Sequence, residues 1–439
     1  MWKRCVGNAP YLGPYAGRFS PRSHRFWWAI QPAWNVEEVR WQRTLPRARA
    51  TFFPHLGSWK NEGSAGGGII SPDPIFLTTE RTVKKDTQRL RVGVLGCGPI
   101  AQSAHFESCR KGRNTELYAI CDRAPDLLAG MQAIHRPQVV YQEYADMLAD
   151  PHVDAVVVAT ADAFHVPLTL QALQAGKHVL VEKPLGLTVE ECQQVAAEAR
   201  ARGLVLQVGH NKRFDPGVAY AGAFIRQEMG EVMALKSWYR DSCYRYQMTD
   251  NLQPEMWTSA QALHPEGNPK ADRRRYLLLA HASHLLDTAR FLCGEITAVQ
   301  ARLVEKFGAY CWLIAADFAD GSGGQLDLTV DVRGDWQEGF QVLGENGSVL
   351  ADLYMPWYFK TAKVECYSVK DGTRRGPIGG DGHSYRLQME GFADTILHGV
   401  PQHGAGGEDG LACVRALVAV SRSVDSGQRV ALADVTGGL

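Results

Sequence analysis

Between Arg89 and His210 short apolar runs alternate with longer amphipathic stretches, and this alternation restricts the chain more than any other feature. LRVGVLG (90–96), TELYAICD (115–122), VVYQ (139–142), DAVVVAT (154–160), HVLV (178–181) and LVLQVGH (204–210) read as strands. PIAQSAHFESCRKG, APDLLAGMQAIH, EYADMLADP, AFHVPLTLQALQAGK and TVEECQQVAAEARARG lie between them and read as helices, the last two closed by Gly176 and Gly203. Strands buried on both faces and separated by helical crossovers form a parallel, doubly wound α/β sheet. A chain of 439 residues exceeds what one such core absorbs, so a second domain and some extra length are expected.

After His210 the pattern changes. A helix near 215–228, the stretch VMALKSWYR, a polar loop to about Arg275 and the helix YLLLAHASHLLDTARFLCG precede a series of extended segments: ITAVQARLVE, YCWLIAADFAD, GGQLDLTVDV, GFQVLGENGSVLADL and KVECYSV. Asn346-Gly347 reads as a hairpin turn with positive φ values. Two late helices, about 384–398 and 408–426, end the chain. The expected organisation is an irregular extension over 1–85, a dinucleotide-binding Rossmann domain over 86–210, and an α+β domain with a mainly antiparallel open sheet over 211–439.

The extension is unlike the rest. Six of the eleven tryptophans (Trp2, Trp27, Trp28, Trp34, Trp41, Trp59) fall in it, and its first 60 residues carry ten Lys or Arg against Glu37 and Glu38. It has no periodicity and ends in the linker-like NEGSAGGGIISPDP, which reads as a poorly ordered arm, with an Arg-rich targeting peptide or a partner-binding arm left open. Since the whole chain balances 47 basic against 47 acidic side chains, the remainder is net acidic and unsuited to nucleic acid. Apolar residues make up 45% but never run to the roughly 18 needed for a membrane span. The ten cysteines lack any CxxC pair, which points to reduced thiols in the cytoplasm and to no structural metal.

Gly96, Gly98 and Ala101 form G-x-G-x-x-A between the first strand and its helix, with Pro99 and Ile100 inside the turn. The first Gly makes the tight turn, the second admits a pyrophosphate to the backbone, and the small third residue allows helix packing. The helix start then faces the anion. Asp122, at the end of the next strand, is placed for the adenine-ribose hydroxyls and favours NAD over NADP. Arg123, its neighbour, leaves NADP open.

HVLVEKPL ends a buried strand on an acid, a base and a proline. Ligands of doubly wound sheets lie beyond the carboxyl ends of the strands, so Lys183 is placed to stabilise an alkoxide there, with Glu182 expected to hold it by charge and Pro184 to keep it extended. Alone, an exposed Glu-Lys turn explains these residues as well.

AVVVATADAFHVPLTLQALQAGKHVLVEKPLGLTVEE resembles the Gfo/Idh/MocA oxidoreductases, whose usual form is Thr-Pro-Asn-x-x-His, a helix, Ala-Gly-Lys-His-Val and Glu-Lys-Pro. The resemblance continues to ILHGVPQHGAGGEDGLACVRALVAVSRSVDSGQRVAL near the end of the chain. It implies that Thr160, His165, Glu182 and Lys183 line the nicotinamide end of the cofactor and that Lys183 is catalytic. Ala161 and Asp162 depart from the family's Pro and Asn. In HASHLLD, His284 matches the family's catalytic His, but Ala280 stands where its Asp is usual. His281 and Asp287, each three residues from His284, are the expected substitutes, and a neutral His284 poised near pH 7 is the expected proton acceptor. Asn211, Lys212 and Arg213 in GHNKRF are candidates for substrate contact, with an inter-domain salt-bridged turn as the other reading; Tyr239, Arg240 and His383 read as solvated.

The resemblance implies hydride transfer between NAD(P) and a secondary alcohol of a sugar, cyclitol or sugar derivative, and a homodimer or homotetramer paired through the second-domain sheet. Redox-neutral epimerisation, elimination or glycoside cleavage, and a catalytically silent NAD-binding sensor, are the alternatives.

Overall fold

The computed structural model describes residues 88–245, 250–266 and 270–439, all within one unit of the chain. The extension at 1–85 lies outside the described residues, as do four positions of the loop after residue 245 and three before residue 270.

β1 (Leu90–Leu95), β2 (Thr115–Cys121), β3 (Val139–Tyr141), β4 (Ala155–Val158), β5 (His178–Val181) and β6 (Leu206–Val208) pair in parallel in the order β6-β5-β4-β1-β2-β3. The intervening helices are α1 (Phe106–Lys111), α2 (Pro125–His135), α3 (Tyr144–Ala149), α4 (His165–Gln174) and α5 (Val189–Arg202). Val92, Val94, Val156, Val157 and Val179 are fully buried, as strands covered on both faces require. α5 shows why its boundaries were readable: Thr188 and Glu191 cap its start reciprocally, and Gly203 ends it at φ +64°.

The first sheet and its helices depart from expectation at two points. The first helix opens not as a regular α-helix but with a π-type turn over Ala101–His105 before α1. The strand expected over 204–210 covers only Leu206–Val208, and its edge is closed by β15 (Ala405–Gly406), antiparallel, from the far end of the chain.

The second sheet has nine strands. β7 (Val232–Ser242), β8 (Ile296–Lys306), β9 (Ala309–Phe318), β10 (Gly323–Val332), β11 (Gln337–Gly344), β12 (Gly347–Leu353), β13 (Lys363–Ser368), β14 (Thr373–Arg375) and β16 (Val430–Ala431) run in the order β14-β13-β12-β11-β7-β10-β9-β8-β16. All neighbours are antiparallel except β7 and β10, which pair in parallel with Leu326 opposite Ser237. The helices of this half are α6 (Pro216–Gln227), α7 (Arg273–Leu277), a π-type turn over Leu278–Ala282, and α8 (Ser283–Cys293). They are followed by α9 (Ser384–His398) and α10 (Gly407–Ser426).

The β11–β12 hairpin forms where expected, but neither Asn346 nor Gly347 has positive φ. Its turn is held instead from outside, by Glu345 and Asn346 N–H groups donating to the carbonyls of Glu231 and Met229 (2.9 and 2.8 Å). Gly347 is required by space: a Cβ there would lie 2.2 Å from the Tyr367 carbonyl. α9, expected in the second domain, joins the first. Met389, Phe392 and Ala393 are buried in one cluster with Leu90, Val92, Phe106 and Leu117, because the outer face of β1 and β2 needs this apolar cover.

β7 alternates cleanly. Leu235, Ser237, Tyr239 and Asp241 are buried, and Lys236, Trp238 and Arg240 lie on the other face. That alternation puts Tyr239 and Asp241 against the π-type turn and α8.

Candidate functional site

The glycine turn has the shape of a phosphate cradle. Gly96 adopts φ +94°, and a Cβ there would come 2.7 Å from the Ala159 carbonyl, whereas a Cβ on Gly98 would meet nothing within 4 Å. The space over Gly98 is what a pyrophosphate needs against Pro99, Ile100 and Ala101. Asp122 accepts hydrogen bonds from the Cys97 N–H (2.7 Å) and the Ala124 N–H (2.9 Å), which fixes its carboxylate beside the turn. Arg123 is exposed and 3.7 Å from Glu143. Beside the turn, where a Cβ on Gly96 would lie 3.2 Å from the Thr160 side chain, the Thr160 hydroxyl is buried without a partner. His165 Nδ1 donates to the Pro184 carbonyl (2.7 Å), and its Nε2 lies 3.3 Å from the Thr160 carbonyl. These residues fit a dinucleotide.

Glu182 does not hold the Lys183 ammonium, contrary to expectation. Its carboxylate accepts from His105 Nε2 (2.8 Å) in a pair with both side chains more than nine-tenths buried. Burial pushes the Glu182 carboxyl up, but His105, Lys183 and His165 outweigh it and leave it below the ordinary value. The Lys183 ammonium instead donates to the Ala280 carbonyl (2.9 Å). The Lys183-Pro184 peptide is cis. His105 and Ala280 both belong to π-type turns, a departure from α-helix often found at functional sites.

This contact brings Lys183 to the helix carrying His281 and His284. The His284 ring stacks on Tyr239 (centroids 5.9 Å apart, 3° between planes), and its Nδ1 has no partner. His281 Nδ1 lies 3.4 Å from the Tyr239 hydroxyl and 3.6 Å from an Asp241 oxygen, and Asp241 in turn pairs with Arg245 (2.6 Å). Tyr239, read as solvated from sequence, is buried and central. Trp336 packs edge-on against Tyr239 (4.9 Å), and Lys212, paired with Glu338 at 2.5 Å, sits 5.8 Å over the Trp336 ring.

Electrostatics correct the expectation of a histidine poised near pH 7. Burial, then Lys183 and Lys212, hold His284 well below the ordinary value; burial, Arg245 and Lys183 do the same to His281. Asp241 moves the other way, to about 6, because burial outweighs Arg245.

Asp287 does not back His284. It forms a two-point ion pair with Arg213 (2.7 and 3.0 Å), which also binds Asp409 (3.0 Å), so the salt-bridged-turn reading describes Arg213. Asn211 donates to the Ser384 hydroxyl (2.8 Å). Arg240 pairs with Asp327 across the open sheet face, and His383 packs on Phe359. His105, Asp241, Trp336 and Glu338 were missed. Only the polar ending of an otherwise alternating strand, Tyr239 to Asp241, could have flagged any of them.

Two family models match: residues 90–210 fit the GFO/IDH/MocA model described as "Oxidoreductase family, NAD-binding Rossmann fold", and residues 227–350 fit the "GFO/IDH/MocA C-terminal domain". The chain is 25% identical to inositol 2-dehydrogenase of Rubrobacter xylanophilus, over 79% of this chain and 94% of the relative. It is 28% identical to inositol 2-dehydrogenase 3 of Saccharopolyspora erythraea, over 78% and 96%. Among solved structures it resembles GenD2 from gentamicin A biosynthesis in complex with NAD, with a TM-score of 0.59 and 27% identity over 78% of this chain and 96% of that one. A glycine cradle facing a lysine-histidine cluster, on a sheet pair matched in both halves, places this chain in the GFO/IDH/MocA family of NAD-binding oxidoreductases.

Proposed function

We propose that the protein oxidises a secondary alcohol of a cyclitol, sugar or sugar derivative with NAD. The observation that carries this reading is the Lys183 ammonium seated on the Ala280 carbonyl, which joins the end of a Rossmann strand to the helix bearing His281 and His284. The turn at 96–101 and Asp122 would hold the pyrophosphate and ribose, with Thr160, His165 and Lys183 at the nicotinamide end. The bound cofactor supplies the hydride acceptor.

Lys183 donates to the substrate hydroxyl oxygen and stabilises the alkoxide as it forms. His284, neutral and with Nδ1 free, accepts the hydroxyl proton; His281, steadied by Tyr239 and Asp241, takes the place of the carboxylate missing at position 280. Asp122, locked by two N–H groups beside the turn, disfavours a 2′-phosphate, so NAD is preferred over NADP. Arg213 and Asn211 shape the pocket by holding its elements rather than by touching substrate.

The sheet face bearing Trp238, Leu313 and Leu350, with both leucines nearly half exposed, supports pairing of two copies. The nine cysteines among the described residues are free, in keeping with a reducing compartment such as the cytoplasm.

The test is a spectrophotometric screen of inositols, aldoses and sugar acids with NAD and with NADP. NADH formation with at least one polyol is expected. Conversion without net NADH would instead support a redox-neutral reaction, and binding of NAD without any conversion would support a sensor.

A further inference from the structure

Residues 256–259, in the segment that follows β7 in sequence, are fastened to the Rossmann half at Trp257 and Ser259. The Gln102 side-chain amide donates to the Trp257 carbonyl (2.9 Å) and accepts from the Trp257 N–H (3.0 Å), a reciprocal pair with Gln102 only 3% exposed. The Trp257 ring covers Gly130 so closely that a Cβ there would fall 2.5 Å from a ring carbon. The Ser259 hydroxyl donates to Asp126 (2.6 Å). Gln102 opens the first turn after the glycine cradle and Asp126 opens α2, so the segment spans the two element starts that bracket Asp122.

The fastening reads the cradle itself. Besides gripping Trp257, the Gln102 amide donates to the Cys97 carbonyl (2.8 Å), and the Cys97 N–H is held by Asp122 (2.7 Å). Cys97, the middle residue of Gly96-Cys97-Gly98, is therefore fixed through its N–H by Asp122 and through its carbonyl by the residue that docks the strap. Both N–H bonds of one buried amide are used, one on the cradle and one on the strap, so disordering the cradle leaves a buried donor unpaired and loosens both.

We infer that residues 256–259 act as a latch on the adenosine half of the cofactor cleft, closed through Gln102 when the glycine turn has its cofactor-bound shape. Gln102, Gly130 and Trp257 are positioning residues in this account. By reciprocity, whatever the closed strap adds to cofactor retention, bound cofactor adds to strap closure. The inference rests on the NAD assignment but not on alcohol oxidation.

Gly130→Ala tests it cleanly, because alanine favours the helix while its methyl displaces the Trp257 ring. Gln102→Ala removes the bridge from the other side. With the full-length protein, NADH is bound and then displaced by excess NAD in a stopped-flow fluorimeter, and amide exchange over 250–262 is followed with and without NADH. The expected result is release faster by about tenfold or more in both variants, the scale of one or two lost hydrogen bonds, and NADH-dependent protection of the strap in the wild type only. Release at the wild-type rate from Gly130→Ala with Trp257 displaced, or a strap whose exchange ignores NADH, would overturn the latch. Because no substrate is used, failure of the alcohol-oxidation reading leaves this result interpretable, and a wild type that binds no NADH overturns both.

Discussion

A carboxylate and an ammonium adjacent in sequence chose different partners. Glu182 faces inward to His105 and Lys183 faces across the crevice to Ala280, since side chains at successive positions of an extended strand end point to opposite sides. Local sequence made both residues visible as candidates but could not reveal either partner, which lie 77 and 97 residues away. The same holds for Asp241 and His281. Their pairing assigns the pH dependence: as pH falls through about 6, Asp241 takes up a proton and loses the charge that steadies His281 beside His284, so kcat/KM should fall. Asp241→Asn should lower kcat/KM at pH 7.5 by roughly 10-fold or more and erase that limb. An unchanged limb in Asp241→Asn would assign it elsewhere. The buried histidines act on stability in the acid range. Because both are held below their ordinary value, the folded chain binds fewer protons than the unfolded one below pH of about 6.5 and loses stability as pH falls further. His284→Phe should therefore flatten the fall of Tm between pH 6.5 and 5.

At the level of elements, periodicity predicted most strands and helices because each carries its own signal: alternating burial in β7 and β9, a capping box on α5, positive-φ glycines ending α4 and α5. The two π-type turns carried no such signal. They widen a helix by a fraction of a turn for tertiary reasons, and they place His105 and Ala280 at the site. Nor could sequence tell that α9 crosses back to the first domain, because an apolar face states that cover is needed and not which surface supplies it. Phe392, fully buried in that junction, should cost about 3–5 kcal/mol of unfolding free energy when changed to Ala. Chemical denaturation measures this, and the variant should also bind NAD more weakly, since α9 backs β1 beneath the glycine turn. A cost below 1 kcal/mol would mean that α9 does not support that sheet.

For the whole molecule, the two sheets stand in different relations to their surroundings. The first is covered on both faces; the second has helices on one face and Trp238, Leu313 and Leu350 on the other. Leu313→Arg should shift the protein from dimer or larger toward monomer in light scattering at micromolar concentration, and an unchanged mass would place any interface elsewhere. Between the two halves lies the crevice, where the Lys183–Ala280 contact joins the cofactor side to the histidine side. The central claim is that this ammonium serves hydride transfer. Once the polyol screen supplies a substrate, the decisive measurement is single-turnover NADH formation at 340 nm by wild type and Lys183→Ala, with NAD affinity titrated in parallel. The account predicts a rate lower by about 10²-fold or more with NAD affinity nearly unchanged. Near-normal NADH formation by Lys183→Ala would contradict it.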